Sequence, residues 1–290
     1  MKKILVTGAS GQLGQCLKQQ LYNAGDISCY FASKEDLDIT DNEAVQGFFS
    51  EYNFDYCINT AAYTNVEKAE SEQKMAFLVN AEGAYNLAKV CKKHNVVLLH
   101  LSTDYVFDGT KKTPYLEEDP TNPLNVYGAS KLKGEQYIST SCSKHFIIRT
   151  SWLYSQYGHN FLNSMLQFAN QKKVLTITTQ QKGTPTNAND VAQVLVSIIK
   201  TGNARYGIYH FSNQGEATWY DFATAIFKAT GEIDTVNLAK TKHYPTFAKR
   251  PNYSVLDCNK VQVTFNNKCS HWEDSLKDLI QKTNGAKSHL

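Results

Sequence analysis

The chain predicts a parallel β-sheet covered by helices on both faces, followed by a smaller α/β region. Three features carry this expectation. Strand-like and helix-like segments alternate over the first 150 residues. The strand-like runs are apolar on both faces, and three spaced glycines sit directly between the first strand and the first helix. Alternation with doubly buried strands marks a parallel sheet, because each crossover helix must cover one of its faces. Right-handed crossovers then give the doubly wound, Rossmann-like topology.

In chain order, the apolar, β-branched runs Ile4–Thr7, Ile27–Ala32, Tyr56–Asn59, Val96–Leu101 and Phe146–Arg149 read as buried strands. Helical patterns lie between them at about 12–24, 41–52, 72–94 and 123–140. Asp41 is placed to cap the second helix; Ser71 opens the third, where Lys74 denies it a full capping box. Beyond residue 150 the regularity loosens. A helix over about 160–171, a strand Val174–Thr178, a helix over about 188–200 capped by Asn187 or Asn189, and a strand Tyr206–Phe211 follow. A helix Thr218–Lys228 and a last one from about Ser270 to Lys282 complete the chain, with Pro185, Pro245 and Pro251 in loops. The expected division is a Rossmann-like domain over 1–150, with part of 180–215 interleaved, and a smaller α/β region over 151–290.

Composition narrows the function classes. Hydrophobic content of 42% and charged content of 20% suit a soluble globular protein. The net charge of +3 is spread without a run of five like charges, so neither nucleic acid nor a membrane surface is an expected partner. Only three of the 30 basic residues are arginine (Arg149, Arg205, Arg250), which leaves few candidates for bidentate phosphate contacts. The seven cysteines form no Cys-x-x-Cys pair and fit buried, reduced thiols in a cytoplasmic protein. The eight histidines show no ligand spacing, so no metal is expected. The apolar run Ile4–Val6 is too short for a signal peptide, and no stretch approaches membrane-spanning length. A monomer or a homodimer fits equally.

Gly8-Ala9-Ser10-Gly11-Gln12-Leu13-Gly14 is the glycine run. Its first glycine permits a sharp turn, its second lets the backbone approach a pyrophosphate, and its third lets helix and strand pack closely. A structural tight turn is the plain alternative. At the end of the second strand, Ser33 and Lys34 supply a hydroxyl and a cation where a carboxylate would repel a 2′-phosphate. The cofactor expected is NADPH, with NADH as the alternative because Glu35 and Asp36 follow at once.

Three Tyr-x-x-x-Lys pairs occur: Tyr30/Lys34, Tyr85/Lys89 and Tyr127/Lys131. The first lies in a strand and the second inside a helix away from any sheet edge, so both fit packing or solvated roles. Tyr127 and Lys131 share one helix face a turn apart. An ammonium there lowers the phenol toward working pH, and a phenol can protonate the alkoxide that ketone reduction creates. Thr103, at the carboxyl end of the fourth strand, is placed to hydrogen-bond the carbonyl oxygen.

These residues resemble the extended short-chain dehydrogenases/reductases, and within them the branch that reduces dTDP-linked 4-keto-6-deoxy sugars. The resemblance spans nearly the whole chain. It is carried by Gly8–Gly14, Leu37–Asp41, Asn59–Glu70, Ser102–Gly109, Pro123–Gly128, Arg149–Tyr154, Gly183–Thr186 and Arg250-Pro251. It implies NADPH-dependent reduction of the 4-keto group of dTDP-4-dehydro-β-L-rhamnose. By the same resemblance, Gly11, Gln12 and Leu13 contact the diphosphate, Asp38 and Ile39 the adenine end, and Ala62, Tyr63 and Thr64 the ribose and nicotinamide side. Lys131 also reaches the nicotinamide ribose, Thr103 and Asp104 touch the sugar, and Trp152 lines its pocket; Arg250 and Asn160 are further substrate candidates. Some members carry a Glu after the glycine turn for a magnesium ion at a dimer interface; Gln15-Cys16 stands there instead, against a metal. Two rival readings remain. One is a catalytically silent dinucleotide-binding subunit like the β subunit of methionine adenosyltransferase, which has no use for a tuned phenol. The other is a nucleotide-sugar epimerase or dehydratase, where Tyr105 stands in place of the Glu expected of a dehydratase.

Overall fold

A computed structural model of the chain describes residues 1–22, 25–169 and 174–287. The amino-terminal half runs β1 (Lys2–Thr7), α1 (Gln12–Leu21), β2 (Ile27–Ala32), α2 (Asn42–Glu51) and β3 (Tyr56–Asn59). It continues through α3 (Val66–Ala69), α4 (Gln73–Phe77), α5 (Ala84–Lys93), β4 (Val97–Thr103), α6 (Val126–Ser141) and β5 (His145–Thr150). The other half adds β6 (Leu153–Tyr154), α7 (Phe161–Ala169), β7 (Leu175–Thr178), β8 (Lys182–Gly183), β9 (Thr186–Asn187), α8 (Ala188–Thr201) and β10 (Gly207–His210). Last come β11 (Ala217–Thr218), α9 (Trp219–Thr230), β12 (Leu238–Thr241), α10 (Asn259–Phe265) and α11 (Trp272–Lys287).

Six strands form one parallel sheet in the order β10-β5-β4-β3-β1-β2. Side chains alternate between its faces. Ile4, Val6, Leu99 and Phe146 pack with Leu17 of α1 and Val191 and Leu195 of α8. Leu5, Cys57, Leu98 and Ile147 pack with Phe49 of α2, Leu87 of α5 and Ile138 of α6. The fold is therefore α/β and doubly wound. A third core of Tyr154, Leu162, Phe222, Ile226, Trp272 and Leu276 belongs to the smaller carboxy-terminal lobe of α7, α9 and α11. The winding reverses at β1, which has β2 on one side and β3 on the other. A crevice opens there at the carboxyl ends of the strands, the place where such sheets hold ligands.

The caps follow local chemistry. Asp41 accepts from Glu43 N and Ala44 N, Asn187 from Asn189 N, and Thr218 forms a capping box with Asp221. Two departures from expectation bear on the site. The helix expected from 123 starts at Val126, because the Asn125 side chain accepts from Gly128 N at 2.8 Å and fixes the first turn. The helix expected over 72–94 is interrupted by a π-helical stretch, Leu78–Gly83. There Asn80 turns inward, bonding Tyr63 N, Tyr63 O and Ser130 Oγ. The last residues expected of the first helix (23–24) and of the helix over 160–171 (170–171) lie outside the described residues. Among the described residues, no helix is long and apolar enough to cross a membrane.

Candidate active site

A cavity of about 980 Å³ fills the crevice. It runs from Lys34, Asp38 and Ile39, across Gly8, Ser10–Leu13 and Ala61–Thr64, to Thr103, Tyr127 and Lys131, and ends at Trp152, Asn160 and Arg250. Every predicted site residue lines it except Gly14. A Cβ on Gly14 would lie 2.6 Å from Ala9 Cα and 2.7 Å from Gly8 O, so this glycine serves helix–turn packing. Gly8 has φ +68°, and a Cβ there would lie 2.5 Å from Ala61 N. Gly11, by contrast, has only Gly8 O near its would-be Cβ, at 3.1 Å. No side chain caps α1, and its first residues, Gly11, Gln12 and Leu13, line the cavity. A bare, concave helix start of this kind fits a dinucleotide pyrophosphate.

At the far end of the turn, Asp38 accepts from Thr40 N at 2.9 Å and Thr40 Oγ1 at 2.7 Å. Partial burial opposes its ionisation, but these bonds and the Lys34 charge hold the carboxyl below its usual range. Lys34 Nζ stands 3.9 Å from Asp38 and is largely exposed. It can swing toward a phosphate.

The chemical centre is assembled by α6 docking on the turn that follows β4. Gly128 lies against the Tyr105 carbonyl so closely that a side chain would collide with it, and the Tyr105 and Tyr127 rings meet edge to face at 5.9 Å. Thr103 donates to Asp104 Oδ1 at 3.1 Å and accepts from Tyr105 N. Asp104 Oδ2 is buried and has no partner among the described residues; burial raises this carboxyl to about 7. Burial also raises the Tyr127 phenol to about 12, against the pull of the Thr103 hydroxyl. Burial lowers the Lys131 amine to about 8, with Glu135 opposing.

This corrects one expectation. Lys131 lines the same cavity as Tyr127, yet its amine is directed to Leu101 O at 2.5 Å and toward His100 Nε2 at 3.4 Å. In the resting site its charge does not outweigh the burial that raises the phenol. The phenol stays protonated across the physiological range, which is the state a proton donor needs. Behind it, Arg149 grips Glu135 in a buried bidentate pair at 2.7 Å, and Ser102 donates to the same carboxylate. Arg149 is thereby withdrawn from any phosphate.

At the outer end the Trp152 backbone has φ +42°, and its indole stacks on Trp219 at 3.7 Å and 6°. Trp219 lines the cavity and carries no sequence signal beyond following the Thr218 cap. Arg250 bonds Glu67 Oε1 at 2.8 Å, which leaves its Nε buried without a partner among the described residues. Asn160 lines the cavity, but its amide nitrogen is engaged by the protein. Its amide donates to Gln12 Oε1, Ser155 O and Tyr157 O, and its carbonyl accepts from Asn163 N, so no donor is left for a ligand. It braces Gln12 instead. The other two Tyr/Lys pairs stay apart from this chemistry: Tyr30 packs on Phe48, and Lys89 lies over the Tyr85 ring at 4.4 Å.

Residues 1–284 match the family model described as the RmlD substrate binding domain. The chain is 41% identical over 289 residues to the dTDP-4-dehydrorhamnose reductase of Aggregatibacter actinomycetemcomitans, covering 96% of this chain and 98% of the relative. A crystal structure of a dTDP-4-dehydrorhamnose reductase from Clostridium acetobutylicum superposes with a TM-score of 0.93 at 38% identity, over 97% of this chain and 99% of that one. The Bacillus anthracis dTDP-4-dehydrorhamnose reductase, solved with NADP, gives 0.93 at 35% identity, over 97% and 100%. The chain belongs to the RmlD substrate binding domain family, among relatives named dTDP-4-dehydrorhamnose reductases.

Proposed function

We infer that the protein is an NADPH-dependent oxidoreductase that reduces the 4-keto group of dTDP-4-dehydro-β-L-rhamnose to give dTDP-β-L-rhamnose. The observation that carries this reading is the meeting of Thr103, Tyr127 and Lys131 in one cavity with the open glycine turn. The relatives' names, and the NADP bound in the Bacillus anthracis structure, point to the same reaction.

Gly11, Gln12 and Leu13 hold the cofactor diphosphate at the start of α1, Lys34 the 2′-phosphate, and Asp38 and Ile39 the adenine end. Ala62, Tyr63 and Thr64 line the nicotinamide side. When bound, the cofactor supplies a hydride to the carbonyl carbon. On substrate binding the Thr103 hydroxyl turns its one proton from Asp104 Oδ1 to the carbonyl oxygen and so favours the negative charge that grows there. Tyr127 gives that oxygen its proton, and the resulting phenolate is favoured by the Lys131 ammonium nearby. Asp104, Trp152, Trp219 and Arg250 seat the nucleotide sugar. The lobe of α7, α9 and α11 covers the substrate end, while β10 joins the dinucleotide-binding sheet and α8 packs on its face. The free thiols fit a cytoplasmic enzyme.

The test follows NADPH oxidation by the purified protein with dTDP-4-keto-L-rhamnose made in situ, and identifies the product by NMR. Turnover to dTDP-rhamnose supports the reading. Tight NADPH binding without turnover would favour the silent binding subunit.

A further inference from the structure

Behind Lys131 a chain of buried side chains runs back to the strand that carries the glycine turn. Thr7, the last residue of β1, donates to Asn59 Oδ1 at 2.8 Å. Asn59 Nδ2 lies 2.9 Å from His100 Nδ1, and His100 Nε2 lies 3.4 Å from Lys131 Nζ. All four side chains are buried. One backbone group settles the direction of the chain. Ala61 N–H donates to Asn59 Oδ1 at 3.1 Å, and a backbone N–H can only donate. The Asn59 oxygen therefore faces Thr7 and Ala61, and its NH₂ faces His100. His100 Nδ1 must accept. A neutral imidazole then carries its proton on Nε2, the nitrogen facing the amine. Burial, with the Lys131 and His145 charges adding to it, holds His100 well below the usual histidine range, so the ring is neutral.

We propose that Asn59 and His100 are positioning residues for Lys131. Asn59 fixes His100 in the Nε2–H tautomer, and that N–H faces the catalytic amine. The arrangement is fully satisfied by a neutral amine, whose lone pair accepts from Nε2–H while its own N–H donates to Leu101 O. An ammonium meets an opposed N–H. Around Lys131, His100 and the Leu101 carbonyl press from β4 and Glu135 from α6; His145 on β5 faces His100 from behind. Glu135 holds the proton on; burial and the His100 N–H loosen it. The same Asn59 oxygen anchors Ala61, which lines the cofactor side of the cavity. Cofactor wall and catalytic amine thus share one residue. The kinetic part of this proposal rests on the reductase reading above; the tautomer does not.

Long-range ¹H–¹⁵N spectra of protein labelled with ¹⁵N-histidine report which ring nitrogen is protonated, with His100 assigned by its loss in His100→Gln. Wild-type His100 is expected to stay neutral with its proton on Nε2 between about pH 6 and about pH 9. A proton on Nδ1, or a titrating ring, overturns the proposal. The kinetic arm compares Asn59→Leu, which removes the amide without adding charge, with Asn59→Asp, which draws the ring proton to Nδ1. Both free Nε2 to accept from the ammonium, so the alkaline limb of kcat rises by about one pH unit in each, a roughly tenfold gain in relative activity on that limb. A shift in Asn59→Asp alone is the effect of added charge and overturns the proposal, as does no shift in either. If Asn59→Leu does not fold, the wild-type tautomer decides. A wild type that binds NADPH but reduces no keto-sugar refutes the reductase reading and leaves the tautomer result standing.

Discussion

Replacing Gly14 and Gly11 separately by alanine separates packing from cofactor binding within one turn. At Gly14 the new methyl would lie 2.6 Å from Ala9 Cα and 2.7 Å from Ala9 O, both backbone. Ordinary carbon contacts are about 3.5–4.0 Å, so roughly 1 Å of overlap falls on atoms that cannot turn away. Overpacking of this kind costs up to about 3 kcal/mol; alanine's better helix propensity returns about 1 kcal/mol. The net loss of about 2 kcal/mol lowers the melting temperature of a chain this long by about 3 °C. At Gly11 the backbone is extended (φ −73°, ψ 169°), which alanine adopts freely, and one atom at 3.1 Å is the only close neighbour. Gly11 lines the cavity where the diphosphate is proposed to sit. Gly11→Ala should keep its melting temperature within about 2 °C while NADPH affinity falls about tenfold or more, worth about 1.4 kcal/mol. Scanning fluorimetry and NADPH titration read the two effects. Undiminished NADPH affinity in Gly11→Ala, or a Gly14→Ala protein that melts like wild type, would refute the division of roles.

Three further outcomes are expected. Reductase kcat should be level below about pH 8 and fall above it, because Lys131 loses its proton there while Tyr127 keeps its own up to about 12; a rate that climbs between pH 8 and pH 10 contradicts this. Glu135→Gln leaves Arg149 buried opposite a neutral amide, which should cost about 3–5 kcal/mol in denaturant unfolding. It should also move the alkaline limb below 8, since the carboxylate that favours the ammonium is gone; an unchanged limb would remove Glu135 from the chemistry. Trp219→Ala takes away the ring stacked on Trp152 and should raise KM for the sugar nucleotide about tenfold, an aromatic contact's worth, with NADPH affinity unchanged; equal losses for both ligands would place Trp219 on the wrong side of the cavity.

The parts of this molecule that were legible in its sequence are those governed by neighbours along the chain. The strand–turn–helix around Gly8–Gly14 is local, and the caps at Asp41, Asn187 and Thr218 each use an oxygen two or three residues from its donor. Tyr127 and Lys131 share a face because i and i+4 always do. What stayed hidden depends on residues distant in sequence. The π-helical stretch exists because Asn80 reaches Tyr63 and Ser130, 17 and 50 residues away; hydrophobic periodicity has no term for that. The stack of Trp152 on Trp219, the pairing of Glu135 with Arg149 and the engagement of the Asn160 amide by Gln12 are all tertiary. The environment of Tyr127 and Lys131 is hidden from the sequence for the same reason. Spacing brought ammonium and phenol to one face, but the amine's partners, Leu101 O and His100, come from the neighbouring strand.

The proposed chemistry rests on Tyr127 as the proton donor, and single-turnover reduction by Tyr127→Phe tests it most directly. NADPH oxidation is followed by stopped flow with saturating dTDP-4-keto-L-rhamnose, beside an NADPH titration of the same variant. The expected result is a rate lowered about 10²–10⁴-fold with NADPH affinity within about threefold of wild type. A variant that oxidises NADPH as fast as wild type would contradict it.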